Sequence, residues 1–308
     1  MAKTLYLHVG HGKTGSSYIQ SILSTHRQRI LGNLGINYPV VESDRSSEGK
    51  ISSGNGAIFL RDPGNPEHVD CGSGDGSVLY SSEFLFAVQK NWLNRQVIDQ
   101  LLTKFDCINV LIFIRNPDEM LSSAYQQSVK RGGYTDTIEK YSETFNFFRD
   151  VEIFLKKLDQ LPGIHPTVYN YSFGRSRVAS LLSKWLGSNE VLDVSFPPIN
   201  RSLTYAEIAL QREINVFFGK SGDLVADELC ERLPELRSDV IRPNRDAWLA
   251  FRAKNLPTIQ EINNLVPLAE RLAFEEELDR AKPMQATLDV AQIQVIAQSL
   301  FGKLVRKA

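Results

Sequence analysis

Hydrophobic residues in this chain fall into two alternating rhythms. The first is the run Thr4 to Val9, which is β-rich and ends in glycines, so it predicts a buried strand followed by a tight turn. From Ser16 the period changes. Tyr18, Ile19, Ile22, Leu23 and Ile30 recur at helical spacing and predict a helix from Ser16 or Ser17 toward Leu31. A short extended piece follows over Ile36 to Val41. From about Glu42 to Ser77 the chain is rich in Gly, Ser, Asp and Pro without any period, which reads as a long surface loop. A short strand over Val78 to Tyr80 leads into Ser81-Ser82-Glu83, and a helix is expected over Asn94 to Phe105.

The most hydrophobic strand is Ile108 to Ile114, a continuous β-branched run of the kind found in the middle of a parallel sheet. Pro117 then opens a helix at a favoured first-turn position. Further on come a helix over Thr144 to Leu161, a strand over Thr167 to Tyr171 and a helix over Arg175 to Leu186. This alternation predicts an α/β fold, a parallel β-sheet flanked by helices. After Pro197-Pro198 only helical patterns remain: Tyr205 to Phe218, Leu224 to Leu233, Ile259 to Leu278 with a kink or split at Pro267, and Val290 to Val305. The expectation is one domain over residues 1–308, with an α/β core over 1–200 and a C-terminal helical extension over 201–308.

Charge narrows the partners. Lys+Arg 35 against Asp+Glu 36 gives a formal net charge of -1, without the basic excess of a protein that coats nucleic acid. Cys71, Cys107 and Cys230 are far apart, which suits neither a disulfide scaffold nor a zinc site. The N-terminal residues carry no secretory pattern and no run reaches the length of a membrane span, so the expectation is a cytoplasmic protein with reduced thiols.

The candidate chemistry lies at the first strand–helix junction, Val9-Gly10-His11-Gly12-Lys13-Thr14-Gly15-Ser16-Ser17. Free N–H groups and the helix dipole favour an anion there, glycines permit close backbone approach, and Lys13, Thr14, Ser16 and Ser17 add a charge and hydroxyl donors. The alternative is a plain structural turn with a serine cap. A nucleoside triphosphate loop reads GxxxxGK[ST]. Here Gly12-Lys13-Thr14 supplies the second half, but Leu7 stands where the first glycine belongs. A magnesium-dependent kinase or hydrolase would also want Asp at the end of the central strand. This strand ends in Arg115, which attracts phosphate and repels magnesium. Ser123 lies eight residues after Arg115, on the helix opened by Pro117, where a guanidinium fork and a hydroxyl can converge on one phosphate.

Together the segments LHVGHGKTGSSYIQ and VLIFIRNPDEMLSSAYQ resemble the PAPS-dependent sulfotransferase family, in the type found in bacteria (PAPS is 3′-phosphoadenosine 5′-phosphosulfate). LHVGHGKTGSSYIQ is similar to its phosphosulfate loop, with Ser16-Ser17 in place of the more usual Thr-Thr. VLIFIRNPDEMLSSAYQ is similar to its 3′-phosphate motif. The resemblance implies a P-loop-like sheet and transfer of a sulfuryl group from PAPS, leaving PAP, to a hydroxyl or amine of an acceptor, without a metal. It assigns Lys13 to the bridging oxygen, Thr14, Gly15, Ser16 and Ser17 to the 5′-phosphate, and Arg115 and Ser123 to the 3′-phosphate, with Gly12 counted among the residues that bind the cofactor. Arg201, in Asn200-Arg201-Ser202-Leu203, resembles a loop that closes over the nucleotide; the alternative is an exposed loop arginine.

The family uses a His or a Glu as the base. Glu83 is the candidate here, in a segment similar to that of carbohydrate-directed members, and burial would raise its pKa. Ser-x-Glu is also ordinary capping chemistry. His8 and His11 rank below it. The loop before Glu83, Lys130 to Tyr134 and the helical extension are expected to wall the acceptor, a carbohydrate hydroxyl first and a small natural product second. Tyr125, Tyr134, Phe147 and Phe148 could stack on an acceptor but read as core. The rival readings are a P-loop kinase or hydrolase, and a non-catalytic nucleotide-binding protein on the same fold.

Overall fold

The computed structural model describes residues 3–39, 54–63, 65, 76–194, 201–220, 222, 225–276 and 287–305. Cys71, Pro197-Pro198, Asn200 and most of the loop expected over Glu42 to Ser77 lie outside them. Five strands form one all-parallel sheet: β1 (Thr4–Val9), β2 (Ile36–Asn37), β3 (Ser77–Ser82), β4 (Cys107–Ile114) and β5 (Ile164–Asn170), in the order β2-β3-β1-β4-β5. The run Cys107–Ile114 is hydrophobic on both faces because β4 has neighbours on both edges and helices above and below. Leu5, Leu7, Val9, Ile108, Val110, Leu111 and Ile112 are fully buried.

The chain divides into two compact units built from interleaved segments. The first comprises 1–116, 146–196 and 257–273 and contains the sheet. On one face of that sheet, Leu79, Leu111 and Phe113 pack with Ile19, Ile22 and Leu23 of the helix Ser16–Thr25 and with Val178 and Leu182 of the helix Val178–Trp185. On the other lies an aromatic layer, with Phe59 5.6 Å from Tyr80, Trp92 6.3 Å from Phe154, and Phe86 5.5 Å from Phe154, ring centre to ring centre. The second unit comprises 117–145, 197–256 and 274–308. Its described helices include Pro117–Gly132, Tyr205–Phe218, Ala226–Arg232 and Val290–Val305, and the last two share a small apolar cluster of Val225, Leu229 and Val295.

Two expected helices differ from those observed. The helix expected from Ser16 to Leu31 is two, Ser16–Thr25 and Arg27–Leu34, broken at His26. His26 departs from helical dihedrals (φ -95, ψ 10) while its N–H still donates to the Ile22 carbonyl at 3.0 Å, and its Nε2 meets the Asp193 carbonyl at 2.8 Å. The helix expected over Ile259 to Leu278 instead occupies Arg245–Leu265, with a 3-10 turn at Leu268–Glu270. Pro267 ends it, since the residue before a proline is pushed out of helical conformation. Upstream, Asn244 Oδ1 accepts from the Ala247 N–H at 3.0 Å and caps a start that no hydrophobic period had announced. The interior Pro257, which lacks the N–H of the helical ladder, hid that half of the helix from sequence.

Candidate functional site

A parallel sheet delivers every strand's carboxyl end to the same edge, and the order of the strands reverses beside β1, the position at which open α/β sheets generally take their ligands. Register aligns the ends: Val9 with Ser82, and Ile114 with Asn170. The residues that follow, the turn 10–15 after β1, Glu83 after β3, Arg115 after β4 and Tyr171 after β5, therefore emerge along one side of the first unit.

The turn is clamped from both flanks. On the β3 flank the Gly10 N–H donates to the Ser82 carbonyl at 3.0 Å. A side chain at Gly10 would lie 2.8 Å from Ser16 Oγ and 3.1 Å from Glu83 Cγ, so only glycine lets Glu83 and the helix start close on each other. On the β4 flank Arg115 Nη1 donates to the Lys13 carbonyl at 3.1 Å, and the guanidinium lies 5.5 Å from the centre of the Tyr171 ring. A side chain at Gly15, held at φ 84, would strike that ring at 2.9 Å. Gly12 has open space where a side chain would go.

Within the turn, Lys13 has φ 69, the left-handed conformation that side chains disfavour. Gly15 then caps the helix, whose first residue, Ser16, is buried with no partner for its hydroxyl. Ser17 is half-buried and accepts at its carbonyl from Ser21 Oγ at 3.0 Å. The Thr14 hydroxyl is buried and donates to the His11 carbonyl, so it stitches the turn together.

Both histidines are buried and held neutral. Burial pushes His8 and His11 down to about 3. His8 Nδ1 meets Ser81 Oγ at 2.7 Å, while His11 lies edge-on between Phe86 and Phe147, 5.0 Å and 4.0 Å away by ring centres. Glu83 stands in solvent at the start of the short helix Phe84–Ala87; the burial expected of it is absent.

Beyond the residues read from sequence, Asn116 and Asn170 clasp the ends of β4 and β5. Asn170 Nδ2 donates to Asn116 Oδ1 at 2.9 Å, Ser172 Oγ accepts from the Asn116 N–H at 3.1 Å, and Glu270 Oε2 accepts from the Asn170 N–H at 2.6 Å. Asn116 stands two residues past the apolar strand β4, whereas Asn170 is the last residue of β5 itself.

In the second unit, Ser123 is buried on the helix Pro117–Gly132. Arg201 also departs from the sequence reading. It is buried, and all five of its N–H donors are taken: two by Glu207 at 2.7 Å each, the others by the carbonyls of Ser202, Leu229 and Leu233. It is a pin inside the helical unit and has no donor left for a phosphate. Tyr125 and Phe148 are core, as read. Lys130 is buried, with its ammonium 3.2 Å from Cys230 Sγ and 3.3 Å from Asp227 Oδ1.

Among the described residues there is no group of three or more His, Cys, Asp or Glu arranged to hold a metal. No described helix is long and apolar enough to cross a membrane. No family model and no curated protein matches this chain. A sulfotransferase from Alicyclobacillus acidocaldarius, known from its crystal structure, is similar over 82% of this chain and 100% of its own, at 14% identity and a TM-score of 0.34. A likeness that distant carries no argument about function, which has to come from the site itself.

Proposed function

We propose that this protein is a sulfotransferase that takes a sulfuryl group from PAPS and transfers it in line to an acceptor hydroxyl. The observation that carries the reading is the clamped turn at the carboxyl edge of the sheet, where one glycine separates Glu83 from Ser16 and Arg115 grips the carbonyl of Lys13. A cationic residue thus ends the central strand, beside an anion-binding helix start, where a magnesium-dependent nucleotide hydrolase needs a carboxylate.

In this reading the N–H groups of Thr14, Gly15, Ser16 and Ser17, with the two serine hydroxyls, hold the 5′-phosphate; Gly12 lets it approach. Lys13 neutralises the charge that grows on the bridging oxygen as the sulfur–oxygen bond breaks. Arg115 binds the 3′-phosphate, and the family resemblance adds Ser123 to it. Glu83 takes the proton of the attacking hydroxyl, and the products are a sulfate monoester and PAP. Exposure of Glu83 is consistent with a base that meets an acceptor arriving from solvent. The acceptor is proposed to be a carbohydrate or a small natural product.

Calorimetric titration with adenosine 3′,5′-bisphosphate, beside ATP plus magnesium, tests the donor site. Charge-assisted hydrogen bonds contribute about 1.5–3 kcal/mol each, so Arg115→Ala should weaken the bisphosphate by at least about tenfold. Arg115 also braces Lys13, so the variant's melting temperature is measured alongside. Preference for magnesium ATP, or an affinity indifferent to Arg115, would overturn the reading.

A further inference from the structure

At the carboxyl ends of β4 and β5, three hydrogen bonds close a circuit. The Asn116 N–H donates to Ser172 Oγ at 3.1 Å, the Ser172 N–H to Asn170 Oδ1 at 3.0 Å, and Asn170 Nδ2 to Asn116 Oδ1 at 2.9 Å. The segment at the 3-10 turn Leu268–Glu270 braces it further. The Arg271 carbonyl accepts from Asn170 Nδ2 at 3.1 Å, and the Ala273 N–H donates to Asn116 Oδ1 at 3.2 Å. β5 is the last strand of the sheet. The Ile108 N–H donates to the Gly163 carbonyl at 2.9 Å, so odd-numbered residues of β5 face β4 and the Asn170 N–H points to the open edge, where Glu270 Oε2 takes it up. Asn170 is therefore the hub. It is buried, its amide nitrogen donates twice, and its N–H and amide oxygen are both engaged. With no donor left for a ligand, it acts through what it holds.

The circuit encloses the residues that flank the turn 10–15 on the β4 side. Arg115 immediately precedes Asn116, and Tyr171 lies between Asn170 and Ser172. The Arg115 guanidinium lies 5.5 Å from the centre of the Tyr171 ring and donates to the Lys13 carbonyl, while Gly15 leaves room for that ring. Fixing the backbone at 116, 170 and 172 fixes where both side chains set out. The ladder already pairs Ile114 with Asn170, so the circuit adds little to the sheet itself. What it adds lies beyond the last pair, at the residues that carry Arg115 and Tyr171.

We propose that Asn170 is a positioning residue for Arg115: by closing the circuit it holds the guanidinium, with the Tyr171 ring beside it, in the orientation that meets a phosphate. This rests on the proposed function for the identity of the anion. A guanidinium recognises phosphate through a planar fork of donors, so a rotated side chain loses bonds that a point charge would keep. In a buried network the members left behind by one deletion are costly to strand, which ties the effect of Asn170 to its partners.

A double-mutant cycle on the full chain tests this, with calorimetric affinity for adenosine 3′,5′-bisphosphate as the first readout. Asn170→Ala should weaken binding by about tenfold, a usual coupling within one hydrogen-bond network. Ser172→Ala, which opens the circuit at one bond, should act in the same direction by less. Placed on Arg115→Ala, either change should cost less than about twofold, because the group it positions is gone. The second readout needs no nucleotide: hydrogen exchange at the Arg115 Nε–H, followed by NMR, should be faster in both variants than in the native chain. Losses of equal size with and without Arg115, or unchanged affinity in both single variants, would reduce Asn170 to a clamp on the sheet and overturn the proposal. Native exchange at Arg115 in both variants would do the same. Ser172→Ala carries the test if Asn170→Ala does not fold. If the native chain binds no bisphosphate, the donor reading fails by itself, and exchange at Arg115 still decides whether Asn170 holds the guanidinium.

Discussion

Lys13 sits at φ 69 in a turn where its ammonium is proposed to meet the bridging oxygen of the donor. The left-handed region costs a residue with a side chain about 1–2 kcal/mol. Glycine escapes that penalty but loses about 0.5–1 kcal/mol more backbone entropy on folding than alanine does. Lys13→Gly should therefore be more stable than Lys13→Ala by about 0.5–1 kcal/mol, as read from paired urea titrations. Both variants lose the charge, and sulfuryl transfer should fall by about two to three orders of magnitude in each, the usual effect of removing one stabilising group at a developing anion. Equal stabilities would mean that the turn relaxes once the lysine is gone. Native turnover in either variant would remove Lys13 from the chemistry. Strain and function then occupy one residue: the conformation that bends the turn also presents the lysine carbonyl to Arg115.

At the level of elements, the sharpest lesson is the start of the helix Tyr205–Phe218. Thr204 Oγ1 accepts from the Glu207 N–H, and Glu207 Oε2 accepts from the Thr204 N–H at 2.8 Å, a capping box. Glu207 then also binds Arg201, and Gln292 Nε2 donates to its other oxygen at 2.8 Å. The guanidinium, with the N–H and amide donors, holds that carboxyl below the usual carboxylate range against the upward push of burial. Removing one partner from a buried pair leaves the other uncompensated, at a cost of about 3–5 kcal/mol. Arg201→Met should lose that much in denaturant titration, while adenosine bisphosphate affinity per folded molecule stays at the native value. A loss of affinity without a loss of stability would restore Arg201 to the nucleotide. The Thr-x-x-Glu pattern begins three residues beyond Arg201, but spacing alone does not say that Glu207 also turns back to hold the guanidinium. Periodicity sufficed for β1, β4 and the helix at Pro117, where long apolar runs and a favoured proline leave few alternatives. It could not supply the strand order, which depends on contacts between distant segments, nor the break at His26, nor the helix carried through Pro257. In the site, motif spacing singled out Lys13, Glu83 and Arg115. The bond of the Thr14 hydroxyl and the clasp of Asn116 with Asn170 became apparent only once their neighbours were known.

For the whole molecule, near-balanced charge removes large self-repulsion at neutral pH, so its acid response is governed by particular groups. His8 and His11 are two of them. Both are pushed down to about 3 by burial, whereas an unfolded chain protonates histidine at about 6.5. Above pH 6.5 neither state carries these protons, and the pair leaves stability unchanged. As pH falls from about 6.5 toward 3, the unfolded chain takes up protons that the folded chain refuses, so stability declines. Each histidine contributes about 1.4 kcal/mol per pH unit through that window. Thermal melts from pH 7.5 to 4.5 should therefore show a falling midpoint, and His11→Leu should flatten the fall by one proton's worth. We propose in addition that the sheet unit and the helical unit unfold together as one domain, so the same melts should show a single transition throughout. Two transitions, only one of them sensitive to pH, would instead assign His8 and His11 to a sheet unit that melts by itself. A midpoint flat across this range, or a His11→Leu slope equal to the native one, would show that the imidazoles gain their protons without unfolding, and that the turn after β1 opens locally to admit them.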